Sequence, residues 1–145
     1  MIAVACDHTG FDLKQHVLAE LDEMGVKYKD FGTNDHNSVD YPVYGKLAAQ
    51  AVASGECERG IILCGTGQGI GITANKVHGV RCVICSEPYS AKMGREHNDA
   101  NMLALGARVV GSELARMIVH TFLTSEFLGG RHARRVNQIN ALDVE

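Results

Sequence analysis

The feature that most constrains the fold is a repeated alternation of short apolar runs with stretches of helical periodicity. The runs at residues 1–6, 60–64 and 80–85 are nearly continuous, which is typical of strands buried on both faces of a parallel sheet. Between them, apolar residues recur every three or four positions, as in amphipathic helices. Because this order repeats along all 145 residues, we predict one doubly wound α/β domain of five parallel strands flanked by helices.

The remaining strands and the helix ends follow from local signals. Residues 26–31 are more polar and are expected to form an edge strand, and residues 102–110 contain the fifth strand. Gly25 is expected to end the first helix, and Ser112 to be the N-cap of the fifth. The predicted helices cover residues 11–24, 42–53, the glycine-rich turn to about 76, 89–98, 112 to about 127, and 131–142.

Composition and charge exclude several classes of protein. The formal net charge of -3 argues against a general nucleic-acid surface. No apolar run approaches the roughly 20 residues that span a bilayer. The first ten residues lack the basic flank of a signal peptide. We therefore expect a cytoplasmic protein with neither a membrane nor a nucleic acid as its partner.

The five cysteines are an odd number without paired spacings, so we predict free thiols in a reducing compartment. Cys82 and Cys85 form a C-x-x-C pair inside an apolar run. Residues three apart in a strand point to opposite faces, so these two are expected to pack in the sheet and not to share a metal ion.

The stretch IILCGTGQGIG at residues 61–71 joins a buried strand to a turn with glycine at every second position. Its spacing lacks the G-x-G-x-x-G dinucleotide fingerprint, since Ile70 stands three residues after Gly67, and the nucleoside-triphosphate loop motif is also absent. Such a turn exposes N–H groups to an anion or an oxygen-rich ligand. Tight packing of helix on strand explains the glycines equally well.

Cys64 ends this strand and faces the donors of the turn, which would favour a thiolate. A small buried apolar residue is the alternative interpretation, but the hydroxyl of Thr66 beside it favours chemistry. Asp7 and His8 end the first strand, where either a capping turn or ligand contact is possible. His97 at a helix end is explained by the helix dipole alone.

Arg131 and Arg135 lie four residues apart and therefore on one helix face, where they can clamp a single anion. A solvated basic helix end is the alternative. Because they belong to the densest basic patch of an acidic chain, a phosphate is the economical partner.

Seven segments together resemble the type B ribose-5-phosphate isomerases, in the ribose/galactose sugar-phosphate isomerase family. The resemblance spans essentially the whole chain, in order. It implies a Rossmann-like domain over residues 1–145, aldose–ketose isomerisation of a phosphopentose, and neither a cofactor nor a metal. The segments are DHTGFDLK, DFGTND, VDYP, CGTGQGIGITANK, CSEPYSA, REHNDANMLALGARVVG and GGRHARRV.

The resemblance also implies residue roles. Cys64 is the base that moves the proton, His97 catalyses ring opening, and Thr66 helps to hold the enediolate. Some relatives use a glutamate further along the turn, but none lies between Cys64 and Lys76 here. The implied substrate-binding residues are Asp7, His8, Tyr41, Gly65, Gly67, Gln68, Gly69, Asn98, Arg108, Arg131 and Arg135.

The implied assembly is a homodimer, sometimes paired into a tetramer, whose active sites are shared across the interface. Arg108 is expected to reach the phosphate of the neighbouring subunit. Allose 6-phosphate or galactose 6-phosphate are alternative substrates within the family. A flavodoxin-like nucleotide-binding module is the alternative from another class, in which the glycine turn only holds a phosphate.

Overall fold

In a computed structural model of the protein, which describes residues 1–144, five strands form one parallel sheet in the order β2-β1-β3-β5-β4. The doubly wound α/β prediction is therefore confirmed, and β2 is an edge strand as expected. Glu145, the last residue of the predicted domain, lies outside the described residues. The strands are β1 (Ile2–Cys6), β2 (Tyr28–Asp30), β3 (Arg59–Cys64), β4 (Cys82–Ile84) and β5 (Met102–Gly106).

Across residues 1–144, six α-helices accompany the sheet, and a short 3-10 turn, His8–Gly10, precedes the first. Two helices are shorter than predicted, because α5 ends at Thr124 and α6 at Asn140. The N-cap of α5 is Gly111 and not Ser112. The helices are α1 (Phe11–Glu23), α2 (Tyr41–Ala53), α3 (Gln68–Asn75), α4 (Pro88–Asn98), α5 (Ser112–Thr124) and α6 (Arg131–Asn140). No helix in this described part is both long and apolar enough to cross a membrane.

The core lies on both faces of the sheet. Helices α1, α4 and α5 cover one face, where Val4 and Leu63 are buried. Helices α2 and α3 cover the other, where Ala5 and Ile62 are buried. Cys85 packs on the first face and Cys82 on the second, as their spacing predicts.

The strand order sets the position of a crevice. From β1 the chain moves outward to β2, whereas β3 pairs on the other side of β1. The connections therefore diverge at the carboxyl ends of β1 and β3, the place where open α/β sheets bind ligands. The chain from β3 next passes over β5 to reach β4 at the opposite edge.

The structure buries Lys14 of α1 completely. Its ammonium donates to the Thr33 carbonyl at 2.6 Å, to the Asp30 carboxylate at 2.9 Å and to the Asn34 side-chain oxygen at 2.9 Å. A buried charge is tolerated only when it is paired in this way. Lys14 thus ties α1 to the loop that follows β2 and leads to Tyr41.

We expect Lys14→Met to lower the free energy of unfolding by about 3 kcal/mol, because it leaves these acceptors without their cation. Urea denaturation measures the change. The matched control is Lys29→Met, which removes the solvent-exposed pair with Glu56 and should change stability little. Equal effects of the two variants would contradict the importance of the buried contacts.

Candidate active site

A cavity of about 300 Å³ opens at the crevice between β1 and β3. It therefore lies where the topology predicts a ligand site. Its lining combines one thiol, one carboxylate, hydroxyl groups, a guanidinium and the backbone of the glycine turn. The lining residues are Asp7, Thr9, Tyr41, Cys64, Gly65, Thr66, Gly69 and Arg108. We call this the Cys64 cavity.

The glycine turn lies directly on the end of β5. A Cβ atom at Gly106 would stand 2.7 Å from the Thr66 carbonyl carbon, and one at Gly67 would stand 3.0 Å from the Leu105 carbonyl carbon. Gly67 also has a φ of 80°, a left-handed conformation that favours glycine. These glycines are therefore required for packing, and the same packing aims the backbone of the turn at the cavity.

The Cys64 thiol lines the cavity although only 4% of the residue is exposed. Its Sγ accepts the Gly67 N–H at 3.2 Å, a contact that would stabilise a thiolate. Within residues 1–144, no protein acceptor is assigned to the N–H groups of Gly65, Thr66 or Gly69. Donors thus remain available for a ligand oxygen.

The other cysteines are in a different electrostatic environment. Burial raises the pKa of Cys6 to about 12 and that of Cys85 to about 11. It also raises the pKa of Cys57 and of Cys82. These four thiols therefore stay protonated near neutral pH, and their position is that of packing residues.

Asp7 and His8 contact the start of α1 and the loop before α2. Asp7 Oδ1 accepts the N–H groups of Thr9 at 2.9 Å and Gly10 at 3.2 Å, and the Thr9 hydroxyl at 2.6 Å. His8 Nδ1 accepts the Val39 N–H at 3.1 Å, so a neutral ring carries its proton on Nε2 and can donate it. Capping and ligand contact are therefore compatible at this strand end.

Tyr41 closes one side of the cavity, because its ring lies on Gly69. A Cβ atom at Gly69 would stand 2.4 Å from the ring carbon that bears the hydroxyl. Thr66 Oγ1 accepts the Gln68 N–H at 3.2 Å and also lines the cavity. The Gln68 residue lines the neighbouring cavity beyond Thr66 and not the Cys64 cavity.

Arg108 lines the Cys64 cavity of its own chain, beside Gly65. A Cβ atom on Gly65 would lie 3.6 Å from an Arg108 guanidinium nitrogen. The structure thus places Arg108 at the cavity of its own chain, whereas the resemblance implied that it reaches the neighbouring subunit. Arg108 follows β5, whose carboxyl end adjoins the glycine turn, which accounts for this position.

The other predicted site residues form a second group. The His97 ring stacks on His132 with ring centroids 4.1 Å apart and planes 9° from parallel. The pKa of His132 is lowered, with partial burial as the largest cause. Electrostatic repulsion from His97, Arg131 and Arg135 lowers it further. We call His97, Asn98, Arg131, His132 and Arg135 the amino-edge group.

The amino-edge group does not line the Cys64 cavity. Helix α4 ends just before β5 begins, and Arg81, which precedes β4, donates to the Asn98 carbonyl. Asn98 therefore lies at the amino end of the sheet, whereas Cys64 lies at the carboxyl end. Five residues of β5 separate the two ends, which corresponds to about 16 Å.

Two residues of these groups were missed by sequence reasoning. Thr9 lines the Cys64 cavity, and His132 stacks on His97. The signal for Thr9 was its spacing from Asp7, which favours a side-chain-capped turn. His132 gave no local signal, because its contact lies 35 positions away in the chain.

The polar groups of the Cys64 cavity suit an oxygen-rich anionic ligand, with Arg108 and free N–H groups as donors. Within residues 1–144, no group of three or more His, Cys, Asp or Glu side chains has the geometry to hold a metal ion. Two side chains of this cavity belong to types that can accept a proton, the Cys64 thiol and the Asp7 carboxylate. Asp7 Oδ1 already accepts three hydrogen bonds from its own turn.

Comparison with known proteins connects this site to a family. The Ribose/Galactose Isomerase family model matches residues 2–139. The chain is 54% identical to ribose-5-phosphate isomerase B of Escherichia coli over 142 residues, which is 98% of this chain and 95% of that protein.

Solved structures agree over the same length. Ribose-5-phosphate isomerase B of Clostridium thermocellum superposes with a TM-score of 0.96 at 54% identity, covering 98% of this chain and 96% of that one. The Mycoplasma genitalium enzyme, solved with bound ribulose-5-phosphate, gives a TM-score of 0.93 at 36% identity, with 98% and 95% covered. The chain therefore belongs to the ribose/galactose isomerase family.

Proposed function

We propose that this protein interconverts ribose 5-phosphate and ribulose 5-phosphate through ring opening and a cis-enediolate. The observation that carries the proposal is the position of Cys64, whose thiol lines a cavity rimmed by backbone N–H donors. Aldose–ketose isomerisation needs a base beside the acidic C–H bond and donors where negative charge develops. Both are supplied by one strand-to-helix turn.

Cys64 is the base in this proposal. Its thiolate, held by the Gly67 N–H, takes the proton from carbon 2 of the open-chain aldose. The thiol then returns that proton to carbon 1, while the hydroxyl proton on oxygen 2 moves to oxygen 1. The negative charge on oxygen during the transfer is stabilised by the N–H groups of Gly65 to Gly69 and by Thr66.

Sugar and phosphate contacts come from three further lining residues and from His8, which follows Asp7 in the chain but does not line the cavity. Asp7 and Tyr41 face the sugar hydroxyls, and Tyr41 keeps its position because Gly69 has no side chain. Arg108 and the Nε2–H of His8 bind the phosphate. These contacts lie away from the reacting carbons, so their binding energy orients the open chain.

The amino-edge group completes the site from a second copy of the chain. His97 opens the furanose ring, Asn98 binds a hydroxyl, and Arg131 and Arg135 close the phosphate clamp. One chain cannot do this alone, since its own amino-edge group lies at the other end of the sheet. We therefore infer a homodimer with shared sites, which can pair into a tetramer.

An exposed apolar surface supports this assembly. Val43 and Leu47 of α2 and Ile72 of α3 are 57%, 41% and 56% exposed in the single chain. Tyr41, which lines the cavity, lies at the start of the same α2. A second chain seated there would bury apolar surface beside the cavity.

The compartment proposed is the cytoplasm, where five free thiols remain reduced. We propose neither cofactor nor metal for the reaction. The flavodoxin-like nucleotide module is the weaker alternative, because it assigns no task to Cys64, His97 or the arginine pair.

A coupled assay tests the function. Purified protein is assayed with ribose 5-phosphate, allose 6-phosphate and galactose 6-phosphate, and bound nucleotide is measured by absorbance. We expect turnover to be fastest with ribose 5-phosphate and no nucleotide to be present. Faster turnover of a hexose phosphate would reassign the substrate, and a bound nucleotide without any isomerisation would favour the alternative module.

We expect Cys64→Ser to lower kcat at least a hundredfold, because a serine hydroxyl barely ionises at neutral pH and general-base catalysis contributes about 10²–10⁴-fold. Binding of a phosphate-bearing product should survive, which calorimetry measures. The control is Cys57→Ser, at a cysteine remote from the cavity, which should remain active. Near-normal turnover of Cys64→Ser would show that Cys64 is not the catalytic base.

Mixing two inactive variants tests the shared site. In a dimer of Cys64→Ser and His97→Asn chains, one of the two sites receives both intact residues. Random pairing makes half of the dimers mixed, so activity should return to about one quarter of the wild-type value.

The control mixture contains Cys64→Ser and Arg108→Ala chains. Both substitutions lie on the cavity side of the site, so neither site of a mixed dimer is intact and activity should stay low. Mass spectrometry confirms subunit exchange. Recovery in the control mixture, or none in the first, would refute this division of residues between chains.

A further inference from the structure

Arg81 joins three segments near the amino end of the sheet. It precedes β4, and its side chain is 17% exposed. Its Nη2 donates to the Asp99 carbonyl at 2.8 Å, and its Nε lies 3.2 Å from the carbonyls of Asn98 and Asp99. Its Nη1 donates to Asn140 Oδ1 at 2.8 Å. One guanidinium therefore connects the end of α4 to the end of α6.

The end of α4 needs such a partner. The last carbonyl groups of a helix accept no hydrogen bond from within the helix, so they need donors from elsewhere. Asp99 follows α4 with a φ of 45°, a left-handed conformation that non-glycine residues seldom adopt. Its carboxylate accepts from Arg95 at 2.9 Å, and its carbonyl from Arg81. The backbone next to His97 and Asn98 is thus fixed by two arginines.

Helix α6 depends on polar contacts even more. Val136 is its one buried residue among those described, so apolar packing fixes its orientation poorly. At its start, His132 stacks on His97, and the Leu128 N–H donates to the Glu96 carbonyl. At its end are the Arg81–Asn140 contact and the Gly79 N–H donated to Asp143 Oδ2 at 2.7 Å.

The geometry points to Arg81 as a positioning residue for the isomerase reaction, one that sets the orientation of the whole amino-edge group through Asn98, Asp99 and Asn140. This inference rests on the proposed function. Arg81 itself touches no lining residue of the Cys64 cavity and has no part in proton transfer. It acts through His97 and Asn98 on α4 and through Arg131 and Arg135 on α6.

The contacts of Arg81 with the end of α4 and with the end of α6 predict different kinetic effects. Arg81→Met releases both helices, so kcat should fall roughly ten- to a hundredfold, the effect of a small misplacement of a catalytic group, and KM should rise. Asn140→Leu releases α6 alone, so KM should rise while kcat stays near the wild-type value. Arg81→Lys keeps the charge but not the planar fork of donors, so its kcat and KM should stay close to those of Arg81→Met.

Arg59→Met is the matched control. Arg59 Nη1 donates to the Phe122 and Leu123 carbonyls at 3.2 Å each, so it also binds the last carbonyls of a helix, α5. These hydrogen bonds go to α5 and not to the amino-edge group. This variant should lose stability, measured by urea denaturation, with kcat and KM unchanged.

A second readout does not depend on catalysis. The His132 ring is titrated by NMR, and its pKa should move up towards that of a free histidine in Arg81→Met but not in Arg59→Met, because α6 has left the His97 stack. Wild-type kinetics and an unmoved His132 titration in folded Arg81→Met would overturn the inference. An inactive wild-type protein would refute the proposed function, and the His132 titration would then decide the role of Arg81 alone.

Discussion

The site depends on one steric constraint, the contact of the glycine turn with the end of β5. Neither Gly67 nor Gly106 has room for a side chain at this contact. Because the turn is packed against the end of β5, α3 starts close to the strand ends. The Gly67 N–H therefore reaches Cys64 Sγ. The same turn lines the cavity with residues whose N–H groups have no acceptor among residues 1–144, and Arg108, two residues after β5, lies beside Gly65. Packing and chemistry are therefore served by the same atoms.

The placement of the five thiols shows how a fold distinguishes chemically equal side chains. For four of them, desolvation by burial is the largest influence on the thiol and raises its pKa. Cys64 is as buried by area as these four but meets an N–H donor and a polar cavity. Exposure alone would not single it out, whereas its position at the strand end does.

The sequence was sufficient to predict the secondary-structure elements and every lining residue of the Cys64 cavity except Thr9. Continuous apolar runs identified the buried strands, and the change of pattern at residues 64–71 identified the turn. The order of β4 and β5 was not predictable, because it depends on which strand pairs with β3 and not on local pattern. The buried contacts of Lys14 were also not predictable, since periodicity records where a residue lies on a helix but not that its ammonium has buried acceptors. The resemblance implied that Arg108 serves the neighbouring subunit, whereas the structure places it beside Gly65 of its own chain, because spacing does not say to which copy a side chain belongs.

The separation of Cys64 from the amino-edge group has a consequence for symmetry. In the proposed homodimer, each chain carries one receiving surface and one contributing surface, at opposite ends of the same sheet. A head-to-tail contact between such surfaces would leave one of each unmatched at the ends of an open chain of subunits. A two-fold axis instead satisfies both at once and closes the assembly at two chains. Under the proposed division of the site between the two ends of the sheet, the dimer is the smallest assembly with no incomplete site, so that growth into filaments gains no further catalytic centre.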